Sequence, residues 1–264
     1  MPDVTGDGPP VVVGVDPSDS ARDAAFWAAD LAAARGCGLL LLHLTPSRSA
    51  SVPGWLREIA DAAERAGAAW VTAEVACGTP FDVLLTRSHR AAMVVVGSFG
   101  RDAPVGMLVG STAPGLAARA GCPVAVVRGT DEGMPPPRRG PVLVGVGGTP
   151  DSDPALHLAG ELAAGLGAGL VVVHARSDTA GGRADLGLEE QLQRVVPGLP
   201  VERRIVADTA LRALLDLAGT ARMVVVARRG HVPAAGVRLG STTRGLVEFA
   251  PCPVVVAPGP RTPA

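Results

Sequence analysis

The chain has 264 residues, 47% of them apolar, which is enough for two domains of ordinary size, each with a core. Its 24 basic and 25 acidic side chains nearly cancel, and aromatics make up only 3% with no Tyr, which argues against a nucleic-acid partner. No apolar run approaches the ~20 residues of a membrane span and the start, Met1 to Pro10, is polar and acidic rather than a signal peptide, so the expectation is a soluble, cytoplasmic protein.

In chain order, Val11 to Val15 predicts a first strand, and Asp16-Pro17-Ser18-Asp19-Ser20 a turn into a helix capped by Ser18 or Ser20. That helix runs to about Arg35 and ends at Gly36-Cys37-Gly38. Leu39 to Leu44 is a second strand, Pro46 to Pro53 a loop, and Trp55 to Ala66 an amphipathic helix through Leu56, Ile59 and Ala63. Trp70 to Val75 predicts a third strand. Thr79-Pro80 pairs an N-cap with proline at the first helical position, opening a helix to about Arg90. Met93 to Val96 is a fourth strand, a helix ends near Ala120, and Pro123 to Val127 is a fifth strand. Five apolar strands alternating with helices predict a parallel sheet covered on both faces.

Residues 129–140 hold Asp131, Glu132, three consecutive prolines and two arginines, a linker. The pattern then restarts at an offset of 130 or 131: Val142 to Val146 answers Val11 to Val15, Val171 to His174 answers Leu40 to His43, and Met223 answers Met93. A tandem duplication follows, with domains over 9–128 and 141–258. The second unit is shorter from Ser177 to Pro197, where Gly181-Gly182 reads as mobile. Cys37, Cys77, Cys122 and Cys252 show no Cys-x-x-Cys spacing; they read as small buried thiols rather than disulfides or zinc ligands.

The chemistry-bearing stretch runs from Met93 to Thr112. Its strand stops at Gly97 and Gly100, nine residues intervene, and a helix opens near Gly110-Ser111-Thr112. Glycine admits backbone to a ligand or adopts positive φ, and a helix start offers free N–H groups to a phosphate. The plainer reading is a turn whose glycines serve only the connection. The layout recurs, as Met223 to Ala227, Gly230, nine residues, then Gly240-Ser241-Thr242.

This pattern resembles the universal stress protein family, whose nucleotide-binding members carry Gly-x-x-Gly, nine residues, Gly-Ser/Thr. Gly97, Gly100, Gly110 and Ser111 meet it in full, whereas Ala227 takes the first glycine's place in the second unit. The resemblance spans both units, from about Val11 to Ala257. It implies an α/β fold of two doubly wound five-stranded parallel sheets, order 3-2-1-4-5, Rossmann-like and adenine-nucleotide-binding. It also implies an intramolecular pseudo-dimer through the last strands of the two units, with further homodimerisation open.

By the same resemblance Asp16 faces the ligand and its metal, as an indirect ligand through a phosphate-bound Mg2+; a capping carboxylate is the alternative. Leu44 contacts the base, with Ala175 its counterpart. Gly97, Gly100, Gly110, Ser111 and Thr112 cradle phosphate, and Arg101 reaches its oxygens. Weaker candidates in the second unit are Ala175, Gly230, Gly240, Ser241 and Thr242. Arg228, Arg229, His231, Arg238 and Arg244 crowd that loop, as a solvated basic face or an anion site. The ligand is ATP, with AMP, ADP and cyclic AMP recognisable by the same chemistry. His43 and His174 read as partly buried strand-end histidines. Walker A, His-Glu-x-x-His and Gly-x-Ser-x-Gly signatures are absent, so an efficient enzyme is disfavoured against a binding protein with at most slow hydrolysis; a partner-binding protein without nucleotide is the alternative.

Overall fold

Runs of Val and Leu closed by Gly, Pro or small polar residues form the inner strands, because branched side chains fill a pleated surface buried on both faces; the edge strands Val71–Cys77 and Val201–Val206 are mixed in composition and largely exposed or half-buried. The computed structural model describes residues 8–46, 51–100, 109–128, 134–176, 183–228 and 239–259. The chain divides into two units, Met1–Arg128 and Gly129–Ala264.

Unit 1 contains β1 (Val11–Val15), α1 (Asp19–Arg35), β2 (Leu39–Thr45), α2 (Gly54–Arg65), β3 (Val71–Cys77), α3 (Pro80–Arg87), β4 (Met93–Gly97), α4 (Thr112–Arg119) and β5 (Val124–Val127). Its strands are all parallel, in the order β3-β2-β1-β4-β5. Val12 stands opposite Leu40 on one side and Val94 on the other. Helices α1 and α2 pack together over one face; α3 and α4 pack together over the other, as right-handed crossovers running in both directions from β1 require.

Unit 2 repeats this with β6 (Val142–Val146), α5 (Asp153–Gly165), β7 (Leu170–Ala175), α6 (Arg183–Val195), β8 (Val201–Val206), α7 (Ala210–Ala218), β9 (Met223–Ala227), α8 (Ser241–Phe249) and β10 (Val254–Ala257). The order is β8-β7-β6-β9-β10, again parallel. The doubly wound α/β fold expected of both units is therefore present.

Local signals explain most boundaries. Ser18, not Ser20, caps α1, accepting the Ala21 N–H. Gly36, at φ 61°, ends that helix in the left-handed conformation. Thr79 caps α3 with Pro80 in the first turn, and Thr209 still caps α7 although Ala210 replaces the proline. The third strand starts one residue later than the sequence suggests, because Trp70 lays its indole on Gly38. A Cβ on Gly38 would stand 2.0 Å from that ring. The stretch 177–197, to which the sequence assigns no element, carries α6, whose buried face includes Leu188, Gln191 and Leu192. Gly181 and Gly182 lie outside the described residues.

Matching sockets join sheet to helix in both units. Leu84 of α3 fills the space over Gly14, and Leu214 of α7 that over Gly145. Phe81 packs on Gly115 of α4, as Leu211 does on Gly245 of α8.

The four cysteines are free thiols; Cys122 and Cys252 are buried and Cys77 is exposed. Burial pushes the Cys252 thiol up to about 12, against a smaller opposing effect of a backbone hydrogen bond at Val224. The chain contains neither lysine nor tyrosine, so cysteines dominate its titration between pH 9 and 12. The folded state keeps the Cys252 proton through that window while the unfolded thiol releases it near pH 9. Stability linked to Cys252 is therefore full below about pH 9 and is lost as pH rises toward 12. Urea unfolding across this range should show a shallower decline in Cys252→Ala than in the wild type. Equal slopes would mean that Cys252 ionises freely in the fold.

Candidate functional site

Two chain segments leave the carboxyl ends of the adjacent strands β1 and β4, and their following helices, α1 and α4, cover opposite faces. Open α/β sheets take ligands in the crevice this creates. Asp16 stands at the first exit. Its Oδ1 accepts the Ser18 N–H at 3.0 Å, an Asx turn that sets the carboxylate at the sheet's upper edge.

Gly97, Ser98, Phe99 and Gly100 form the second exit. None of Gly97, Gly100 and Gly110 has positive φ. Close approach is what position 97 and position 100 demand. A Cβ on Gly100 would lie 2.8 Å from Asp16 Oδ2, and one on Gly97 would lie 2.5 Å from Ser20 Oγ and 2.9 Å from the Ser20 backbone. The loop after β4 thus presses against the turn after β1. Gly110 returns the chain to this place, its N–H donating to the Ser98 carbonyl at 2.7 Å. Ser111 occupies the N-cap position of α4 without capping it by its side chain, and Thr112 begins the helix. The first-turn N–H groups face outward with the helix's positive end, beside backbone that carries no Cβ.

Leu44 is half-buried near the end of β2, opposite Ala76 of β3. Its neighbour His43 ties β2 to β1 through Nδ1 and the Val15 carbonyl at 2.9 Å. The His43 ring meets Trp55 of α2 edge to face, centroids 5.0 Å apart. Structure therefore brings Asp16, Gly97, Gly100 and Gly110 together and sets Ser111 and Thr112 at the following helix. Arg101 lies outside the described residues. Sequence reasoning treated Ser20 only as a cap candidate and missed its contact with the loop. Among the described residues no group of three or more His, Cys, Asp or Glu side chains is placed to hold a metal. A magnesium ion here would depend on phosphate oxygens, with Asp16 the nearby carboxylate.

The profile of the Universal stress protein family matches residues 9–128 and 183–258, more than half the chain. The chain belongs to the universal stress protein family. It is 35% identical to one universal stress protein of Mycobacterium tuberculosis, over 94% of this chain and 96% of that one. A second from the same organism is 31% identical, over 94% and 95% of the two chains. The crystal structure of a universal stress protein from Archaeoglobus fulgidus superposes with a TM-score of 0.68, covering 94% of this chain and 98% of that chain at 21% identity, a likeness of fold.

The second unit of this universal stress protein keeps the frame and changes the rim. Gly147 stands where Asp16 stands, and Ala227 where Gly97 stands. The Gly240 N–H donates to the Arg228 carbonyl at 3.0 Å, matching Gly110 and Ser98. Gly240 precedes α8, which Ser241 and Thr242 open without a side-chain cap. Ala175 is half-buried at the end of β7. Gly230, Arg229, His231 and Arg238 lie outside the described residues. The turn after β6 is held from α6 instead. Gln191, 1% exposed, donates through Nε2 to the Thr149 carbonyl at 2.8 Å, Ser152 Oγ at 3.0 Å and Asp153 Oδ1 at 2.7 Å. Arg194 pairs with the same Asp153, and Gly187 of α6 approaches the Gly148 carbonyl.

His174, expected to be partly buried, is 4% exposed and bonds Val146 O at 3.1 Å. No helix among the described residues is long and apolar enough to cross a membrane.

Asp16 has a structural task as an acceptor whatever it binds. Asp16→Ala should cost about 1 kcal/mol in urea unfolding, since the Ser18 N–H loses its partner. Asp16→Asn retains an acceptor and should stay within about 0.5 kcal/mol of the wild type. Equal losses in both would assign the effect to charge.

Proposed function

We propose that unit 1 binds an adenine nucleotide, ATP with magnesium, at the carboxyl ends of β1 and β4, and that the loaded protein acts by binding and signalling in the cytoplasm. The observation that carries this reading is the close fit of the loop to the Asp16 turn. Gly100 comes so near the carboxylate that a single methyl would collide with it. Such a bare backbone surface, next to the uncapped start of α4, suits phosphate oxygens, and Asp16 is placed to meet their counter-ion. Leu44 takes the base at the end of β2, and Arg101 adds charge to the phosphates. Hydrolysis is slow at most, for the described rim presents no general base paired with a positioned nucleophile.

Unit 2 is the weaker site. Gly147 supplies no carboxylate, and Ala227 adds a methyl at the loop's base. Ala175, Gly230, Gly240, Ser241 and Thr242 remain there for a smaller anion, beside Arg228.

Calorimetry with ATP and magnesium should give about one site per chain, abolished by Asp16→Ala combined with Gly100→Val. Gly110→Val alone should weaken binding at least tenfold, about 1.4 kcal/mol. Two equivalent sites, or one that survives the double variant, would place binding elsewhere. Mass spectrometry of the small molecules released on denaturing the purified protein distinguishes ATP from AMP, ADP and cyclic AMP. A protein that neither retains nor binds any of them fits the nucleotide-free, partner-binding alternative.

A further inference from the structure

We propose that Ser20 is a positioning residue whose hydroxyl locks the glycine loop to the first turn of α1, so that the phosphate-facing backbone and the Asp16 carboxylate share one fixed geometry. The inference rests on the nucleotide reading of unit 1 and names the side chain that pre-organises that site.

Ser20 Oγ accepts the Ser98 N–H at 3.0 Å and lies 3.5 Å from Ser98 Oγ. The same N–H donates to the Val127 carbonyl at 3.1 Å, making a three-centre bond. Ser98 is 2% exposed, whereas Phe99 and Gly100 beside it are exposed. Ser98 is thus the fixed point from which the loop departs. The contact exists because residue 97 is glycine. A Cβ there would meet the Ser20 hydroxyl at 2.5 Å and the Ser20 carbonyl carbon and oxygen at 2.9 Å. Backbone cannot swing aside as a side-chain end can, so a methyl at 97 would drive loop and helix apart. The loop therefore meets a single turn twice, at Ser20 through Gly97 and Ser98, and at Asp16 through Gly100.

Unit 2 shows the same frame with other side chains at these places. Three matching positions differ together: Ala227 for Gly97, Arg228 for Ser98 and Asp151 for Ser20. The strand-to-strand bond survives, from the Arg228 N–H to the Ala257 carbonyl at 3.1 Å. A hydroxyl anchor is supplied from the other side, by Thr243 of α8, which donates to the Ala227 carbonyl at 2.8 Å. Unit 1 has Ala113 at that place. Unit 1 thus fastens the base of its loop with the Ser20 hydroxyl of α1, and unit 2 with the Thr243 hydroxyl of α8.

Losing the Ser20 hydroxyl leaves the Ser98 N–H its bond to Val127, so the fold persists while the loop gains freedom. Contacts to phosphate should suffer and contacts to the base should not. The test is calorimetry on the full chain with two probes, ATP with magnesium and adenosine alone, alongside thermal unfolding. Ser20→Ala should weaken ATP about fivefold, the scale of one neutral hydrogen bond, and leave adenosine within about twofold and the melting temperature nearly unchanged. Ser20→Thr, which restores a hydroxyl, should recover most of the loss. Gly97→Ala should weaken ATP at least as much as Ser20→Ala, and the double variant should be no worse than Gly97→Ala, because both break one contact. Unchanged ATP affinity in Ser20→Ala, an equal fall for ATP and adenosine, or additive losses in the double variant would overturn the positioning role. A wild-type chain that binds neither probe would overturn the nucleotide reading, and this inference with it.

Discussion

The parallel pairing of β1 with β4 is the contact on which the rest of unit 1 depends. Val11 to Gly14 align with Met93 to Val96 without a strand between them, although 77 residues separate the two strands in the chain. Parallel crossovers take one hand as a rule, and the two directions of travel from this pair send α1 and α4 to opposite faces. That divergence opens a crevice at one edge of the sheet and leaves two helix starts beside it. The sheet's own backbone bonds hold the strand ends rigid, so the loops that leave them depart from fixed points.

The apolar sockets and the polar rim have followed different rules since the duplication. Gly14 with Leu84 and Gly145 with Leu214 preserve the same fit of helix to sheet. Gly115 and Gly245 keep the fit but accept Phe81 in one unit and Leu211 in the other. Each fully buried side chain of this size contributes roughly 1.5–3 kcal/mol, and a mismatch costs a comparable amount. The rim bears no such penalty, since its polar groups meet water or one another. The turn after β6 in unit 2 is accordingly held by Gln191 and Asp153, while the Asp16 turn of unit 1 meets the loop after β4.

Interior and rim also differ in what holds them. The strands of the two sheets use valine and leucine in different proportions, as Leu39–Thr45 and Leu170–Ala175 show, because burial is non-directional. The Ser20–Ser98 contact is directional and short, and a methyl at position 97 would break it against the Ser20 backbone; at position 100 it would push the Asp16 carboxylate aside.

By itself the sequence determined the alternation of strands and helices, the duplication and the place of the glycine loop. These are written in local signals: apolar runs of strand length, Ser18 or Ser20 and Thr79 before their helices, and a repeat of about 130 residues. It left α6 unassigned because its buried face is narrow and includes the polar Gln191 between Leu188 and Leu192. It also offered two reasons for the glycines, positive φ and close approach, with nothing to choose between them. Only the tertiary structure decided for close approach, at Gly97 and Gly100, and chose Ser18 over Ser20 as the cap. It also freed Ser20 for the loop 78 residues away. Such choices depend on which atoms the crossovers bring within 3 Å of one another, a distance that no pattern along the chain encodes.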